Sequence, residues 1–234
     1  MTHVKLCGFQ SAGPAIAAVD AGVDSLGLVF VPSAHRCLSL AEAEGLLSEV
    51  REHIGPGIAP EVVGLFADQP IEDVQEHVKR LRLDAVQLCG AEDVSYASQL
   101  PVPVYKVIMV DPEVPLSAQM PRVMVLQQRH QMAGHRVVVD TKVAGEYGGT
   151  GRTFDWQLAA DLAEGLDMSL AGGLTPDNVG EAVKTVKPWG VDASSGVETD
   201  GEKDPEKVRA FVEAVRAVDK RASRGRIKRL LGRG

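Results

Sequence analysis

Two side chains able to move a proton each close a short apolar run of this sequence. Cys7 ends Val4-Lys5-Leu6-Cys7 directly before Gly8, and Asp140 ends Val137-Val138-Val139-Asp140 ahead of the glycine-rich Gly148-Gly149-Thr150-Gly151. A thiol and a carboxyl brought to one place can act as general base and general acid when their surroundings tune their pKa values apart. Taken singly, each reads equally well as something plainer, a buried structural cysteine or an aspartate capping its own loop. Arg36, in Pro32-Ser33-Ala34-His35-Arg36-Cys37, adds a guanidinium whose fork can clamp a substrate carboxylate. Gln87 can hydrogen-bond a sugar oxygen or a phosphate, or merely satisfy backbone. His35 reads as a loop residue, and Cys37 and Cys89 as non-catalytic thiols.

Gly148 to Gly151, Ala171-Gly172-Gly173-Leu174 and Ser194-Ser195-Gly196 can each present backbone N–H groups to an anion. One Gly-Gly pair alone is more often a tight turn. Clusters on consecutive units, the last with Asp192 just before it, make a phosphorylated sugar the natural small-molecule ligand.

The elements that must position these groups alternate along the chain. Short apolar runs at 4–7, 25–30, 62–66, 85–88, 104–109, 136–140, 168–171 and 190–193 are what parallel strands buried on both faces require. Amphipathic segments at 12–21, 40–50, 71–80, 93–100, 156–164, 176–186 and 205–218 predict helices between and after them. A weaker segment lies near 120–129, where Pro112, Pro115 and Pro121 argue for a short or irregular crossover. Ser39 with Glu42 reads as a capping box, while Thr175-Pro176-Asp177 and Asp204-Pro205 read as helix entries with proline at the first helical position. Gly22 and Gly165 punctuate helix exits.

This alternation predicts an α/β protein, a (β/α)8 TIM barrel in a single domain over 1–219, against the alternative of a doubly wound open sheet. Periodicity does not separate the two, but the polar residues favour the barrel. Cys7, Arg36, Gln87, Asp140, Gly172, Gly173, Asp192, Ser194 and Ser195 all fall at or beyond strand C-termini, which a barrel gathers at one mouth and an open sheet spreads along an edge.

With 44% hydrophobic and 24% charged residues the chain has the composition of an ordinary globular protein. No run of about 18 apolar residues and no charged-then-apolar leader is present, so a cytoplasmic protein with no membrane partner is expected. Three cysteines without metal-ligand spacing fit a reducing compartment and no metal site. The formal charge of -7 conceals a basic tail over 220–234, with no acid and no interleaved aromatics. That tail is read as a solvated, flexible end rather than a nucleic-acid arm. Monomer and homodimer are both compatible with a barrel of this size.

Taken together, these motifs resemble phosphoribosylanthranilate isomerase, a (β/α)8 enzyme family of tryptophan biosynthesis. The resemblance rests on Val4-Lys5-Leu6-Cys7-Gly8, Asp24 to Phe30, Arg36, Asp84 to Leu88, and Asp140-Thr141-Lys142-Val143 followed by Gly148 to Trp156. It continues through Leu170 to Val179, Gly190 to Glu198 and Lys203 to Lys207. It implies an Amadori rearrangement of N-(5-phosphoribosyl)anthranilate to 1-(2-carboxyphenylamino)-1-deoxyribulose 5-phosphate, without metal or cofactor. On that resemblance Asp140 would be the general acid, Cys7 the base and Arg36 the holder of the anthranilate carboxylate. Gly172, Gly173, Ser194 and Ser195 would bind phosphate, Asp192 and Gln87 would lie in the same mouth, and Gly148 to Gly151, Gly149 among them, would form a mobile cover. The chain departs from the family in Cys89-Gly90 where His-Gly is common, in Phe9-Gln10-Ser11 after Gly8, in Cys37 where a tyrosine is frequent, and in lacking an arginine at the end of 104–109. A noncatalytic phosphosugar-binding protein, or an isomerase of a related phosphoribosylamine, stays open as an alternative.

Overall fold

The computed structural model describes residues 1–111, 114–140, 160, 163 and 167–231, with backbone alone for 116 and 224–231. Eight parallel strands close into a ring in chain order: β1 (His3–Cys7), β2 (Ser25–Val29), β3 (Glu61–Phe66), β4 (Ala85–Leu88), β5 (Val104–Met109), β6 (Arg136–Asp140), β7 (Met168–Ala171) and β8 (Gly190–Ala193). Pairing of β8 with β1, with Asp192 opposite Lys5, rules out the open sheet. The last five strands have the bounds read from the sequence, and the first three differ by one residue at one end.

Alternation along each strand sends side chains to two separate cores, which is why the strand sequences are continuously apolar. Val4, Leu6, Leu26, Leu28, Val137 and Val139 pack outward with the helices. Cys7, Val29, Val63, Leu65, Ala85, Tyr105, Val107, Val138 and Ala171 fill the barrel. The same interior rows carry the buried polar residues Lys5, Ser25, Gln87, Ser169 and Asp192.

The helices are α1 (Ala12–Ala21), α2 (Leu40–Ile54), α3 (Ile71–Leu81), α4 (Val94–Ala97), α5 (Leu116–Met132), α6 (Val179–Val186) and α7 (Pro205–Leu231). The helix expected over 156–164 falls largely outside the described residues, as does its exit at Gly165. Ser39 and Glu42 form the capping box reciprocally at the start of α2, and Gly22 closes α1 in the left-handed region. Five helices differ from the sequence reading by more than one residue, and the first of them, α2, runs on to Ile54 rather than ending at Val50. α5 is a helix of 17 residues despite Pro121, because Pro115 sits at its N-cap and Pro121 forfeits one backbone bond within a helix several turns long. α4 is a single turn, held at its start by Asp93, whose Oδ1 accepts from Tyr96 N at 2.8 Å. α6 starts at Val179 rather than Pro176, since Asn178 Oδ1 accepts from Thr175 N at 2.8 Å and folds the preceding residues into a turn. α7 continues past 218 to Leu231, through a Lys- and Arg-rich stretch whose long unbranched side chains favour helix.

The ends of the chain meet where the ring closes. Arg216 on α7 donates from Nη1 to Thr2 O at 2.6 Å and from Nη2 to Asp24 Oδ2 at 2.7 Å, while Asp219 accepts from Thr2 N at 2.9 Å. A polar network closes the N-terminal floor: Ser25 and Tyr105 donate to Glu61 Oε2 at 2.8 and 2.7 Å, and the Arg136 guanidinium lies 4.3 Å over Trp189. With the floor so closed, the opposite end is the one left for a ligand.

Candidate active site at the C-terminal mouth

Cys7 and Asp140 are the last residues of β1 and β6, and each lies on an interior row, so both serve the same mouth. Around the ring β6 stands three strands from β1, through β7 and β8. Cys7 is 6% exposed, and burial pushes its thiol above the ordinary range. The cations Lys5, Lys203 and Arg36 act in the opposite direction, and Asp192 sides with burial.

Just past Cys7 the backbone of Gly8 adopts a φ of 85°, and a Cβ there would lie 2.4 Å from Arg36 Cδ and 3.2 Å from Ser194 Oγ. The glycine thus lets the Arg36 loop and the loop after β8 converge beside Cys7. Ser194 Oγ donates to Cys7 O at 3.0 Å, tying those two strand ends together.

Arg36 is placed differently from the simple clamp expected of it. Its Nε and Nη2 donate to Glu198 at 2.7 and 2.6 Å, so the bidentate edge of the guanidinium is used within the protein. Nη1 carries no hydrogen bond to a described residue and is the part available to a substrate carboxylate. Glu198 belongs to a hairpin of β9 (Glu198–Thr199) and β10 (Glu202–Lys203), which also brings Lys203 Nζ to Glu198 Oε1 and, at 3.1 Å, to Ser194 O. Burial opposes ionisation of Glu198, but the hydrogen bonds from Arg36 and Lys203 prevail and hold it below the usual carboxylate range.

The loops after β7 and β8 adjoin. Gly172 and Gly173 have φ of 91° and 63°, and Asn178 Nδ2 donates to Gly173 O at 2.9 Å. A Cβ on Gly196 would lie 1.8 Å from Leu174 O, so only glycine lets the two loops meet. Ser194 and Ser195 stand half-buried at that junction. Gly149, with the rest of Gly148 to Gly151, lies outside the described residues.

Deeper in the barrel, Lys5 Nζ donates to Asp192 Oδ2 at 2.6 Å, both side chains being buried, and Asp192 Oδ1 has no protein partner. Gln87 is likewise buried, with Nε2 directed at Cys89 Sγ at 3.7 Å and Oε1 unpartnered. Burial raises Cys89 to about 12, keeping it a neutral thiol, and Cys37 Sγ contacts Leu38 O at 3.8 Å. Lys5, Glu198 and Lys203 escaped the sequence reading. Lys5 left a usable signal, a charge inside a run otherwise read as buried on both faces. Glu198 and Lys203 left no apolar pattern and stood out only as the ends of two segments in the family resemblance. Among the described residues no group of three or more His, Cys, Asp and Glu side chains is arranged to hold a metal ion, and no helix is long and apolar enough to cross a membrane.

The fold and this mouth define a (β/α)8 barrel with groups suited to acid–base chemistry on an anionic ligand. The comparisons with known proteins say which. A family model described as N-(5'-phosphoribosyl)anthranilate (PRA) isomerase matches residues 4–214. The N-(5'-phosphoribosyl)anthranilate isomerase of Roseiflexus castenholzii is 42% identical over 217 residues, which cover 92% of this chain and 98% of that relative. The crystal structure of phosphoribosyl anthranilate isomerase from Thermotoga maritima is similar with a TM-score of 0.79 at 31% identity, covering 93% of this chain and 100% of that one. A phosphoribosyl anthranilate isomerase in complex with reduced 1-(o-carboxyphenylamino)-1-deoxyribulose 5-phosphate gives 0.76 at 28% identity, again covering 93% of this chain and 100% of that one. The chain belongs to the N-(5'-phosphoribosyl)anthranilate isomerase family.

Proposed function

We propose that the chain isomerises N-(5-phosphoribosyl)anthranilate to 1-(2-carboxyphenylamino)-1-deoxyribulose 5-phosphate. Beyond family membership, the observation that supports this most is the placement of Cys7 and Asp140 on interior rows at one mouth, beside the joined loops of β7 and β8. Asp140 gives its proton to the furanose ring oxygen as the bond from that oxygen to C1 breaks, and the nitrogen lone pair forms a C1=N iminium. Cys7 takes the C2 proton as thiolate; the C–H pair becomes the C1=C2 bond of an enolamine, and the iminium pair returns to nitrogen. Transfer of the C2 hydroxyl proton away and protonation of C1 complete the ketone. Gly172, Gly173, Ser194 and Ser195 hold the phosphate, with Gln87 and Asp192 below, and Gly149 belongs to the cover over the mouth.

Incubating the purified protein with freshly generated phosphoribosylanthranilate and following its fluorescence tests the activity. Rapid loss of signal at catalytic protein concentration is expected, and binding without conversion would overturn the proposal in favour of a noncatalytic phosphosugar protein.

Arg36 holds the anthranilate carboxylate through Nη1, with Glu198 fixing the plane of the guanidinium from its other edge. Glu198→Gln keeps the shape but loses the charge, so Arg36 is less firmly oriented. KM is expected to rise about tenfold with kcat changed much less, the pattern of lost uniform binding. Steady-state kinetics check it, and an equal loss in kcat with KM unmoved would count against a role in substrate binding.

A further inference from the structure

A thiol that accepts a carbon-bound proton must first be a thiolate, and the barrel interior opposes that. Cys7 is 6% exposed, and its Sγ is so enclosed that a Cβ on Gly27 would come within 2.9 Å of it. The charged and titratable groups facing it come from every side of the mouth: Lys5 on its own strand, Asp192 on β8, Arg36 from the loop after β2, and Glu198 and Lys203 from the hairpin. Cys89 beyond β4 and Asp140 on β6 complete the set. Arg36 and Lys203 both spend their charge on the single carboxylate of Glu198. Lys5 occupies the same interior row as Cys7, two residues below it, and is anchored at 2.6 Å by Asp192.

We infer that Lys5 is a positioning residue for proton abstraction, its ammonium held beneath Cys7 by Asp192 so that the thiolate forms next to a fixed positive charge. This rests on the reading of Cys7 as the base. The division of labour follows from solvation. A buried amine on its own sheds its proton, but the carboxylate of Asp192 overcomes burial and holds Lys5 protonated above its ordinary range. The ammonium therefore persists while the thiol titrates. Among the groups that favour the thiolate, Lys5 has the largest effect. Asp192 in turn bonds through one oxygen only, its Oδ1 buried and unpartnered. Its anchoring of Lys5 is thus compatible with Oδ1 accepting from a hydroxyl of the bound sugar.

The test follows the alkylation of Cys7 by iodoacetamide across pH, resolved from Cys37 and Cys89 by peptide mass spectrometry, alongside kcat/KM over the same range. In Lys5→Met the Cys7 midpoint is expected to rise by about one pH unit, with activity near neutrality down about tenfold. Because Lys5→Met leaves Asp192 buried and unpaired, the double variant Lys5→Met/Asp192→Asn removes the orphan charge, and Lys5→Arg restores the cation. An upward midpoint in the double variant, recovery in Lys5→Arg and an inactive Cys7→Ser together support the inference. An unmoved midpoint in the folded double variant overturns it even where Cys7→Ser is inactive. A Cys7→Ser variant with near-normal turnover overturns the base assignment and the inference with it, whichever way the midpoint moves.

Discussion

Cys7→Ser is expected to lower kcat by about two orders of magnitude or more, the scale on which a general base contributes. The substitution is close to isosteric and preserves the backbone contact from Ser194 Oγ to Cys7 O at 3.0 Å, so the meeting of the β1 and β8 ends survives. What it removes is a group that can ionise at all near neutrality. KM should change little, because Arg36 and the loops proposed to hold the phosphate are untouched, and an unchanged circular dichroism spectrum and thermal midpoint separate loss of chemistry from loss of fold. The pH profile adds a second check. Burial pushes the free Cys7 thiol above its ordinary range, so the reactive thiolate is the minor form at neutral pH and its fraction grows as pH rises. The acid-side limb of kcat/KM should therefore climb through neutrality and beyond in the native protein and be absent from Cys7→Ser. A flat native profile, or a serine variant with near-native kcat, would remove Cys7 from the role of base.

The barrel is legible in the sequence because burial on both strand faces leaves a strong mark, as at 136–140 and 168–171, where the apolar run and the strand coincide. Closure was less direct, inferred from polar residues gathering at strand C-termini and then shown by the pairing of β8 with β1. Proline misled at α5, since single-residue penalties do not register the tertiary packing that carries a long helix through Pro121. The placement of Cys7, Gln87 and Asp192 at or near strand ends was readable because the strand itself fixes their direction. Glu198 was not. Its importance comes from a contact with Arg36 across 162 positions of sequence, which no local pattern encodes. The same holds for the charge relation of Lys5 to Asp192, 187 positions apart.

Asp140→Asn is the companion test, and a loss of kcat of about two orders of magnitude or more is expected. Asparagine keeps the size and planarity of the side chain at the end of β6, and the backbone bond from Val110 N to Asp140 O at 2.9 Å does not depend on it. It has no acidic proton to give, so the furanose ring stays closed and Cys7 has no activated C–H bond to act on. The two variants should then fail at different points. A ligand that already lacks the ring bypasses the step assigned to Asp140, and reduced 1-(o-carboxyphenylamino)-1-deoxyribulose 5-phosphate, the compound bound in one of the similar structures, is such a ligand. Its Kd, measured by calorimetry, should be nearly the same for the native protein and Asp140→Asn, because binding an open chain demands no protonation of a ring oxygen. Near-native turnover in Asp140→Asn would assign the acid to another group. A large loss of affinity for the open-chain compound would instead make Asp140 a binding residue, since its contribution would then be present before any proton moves.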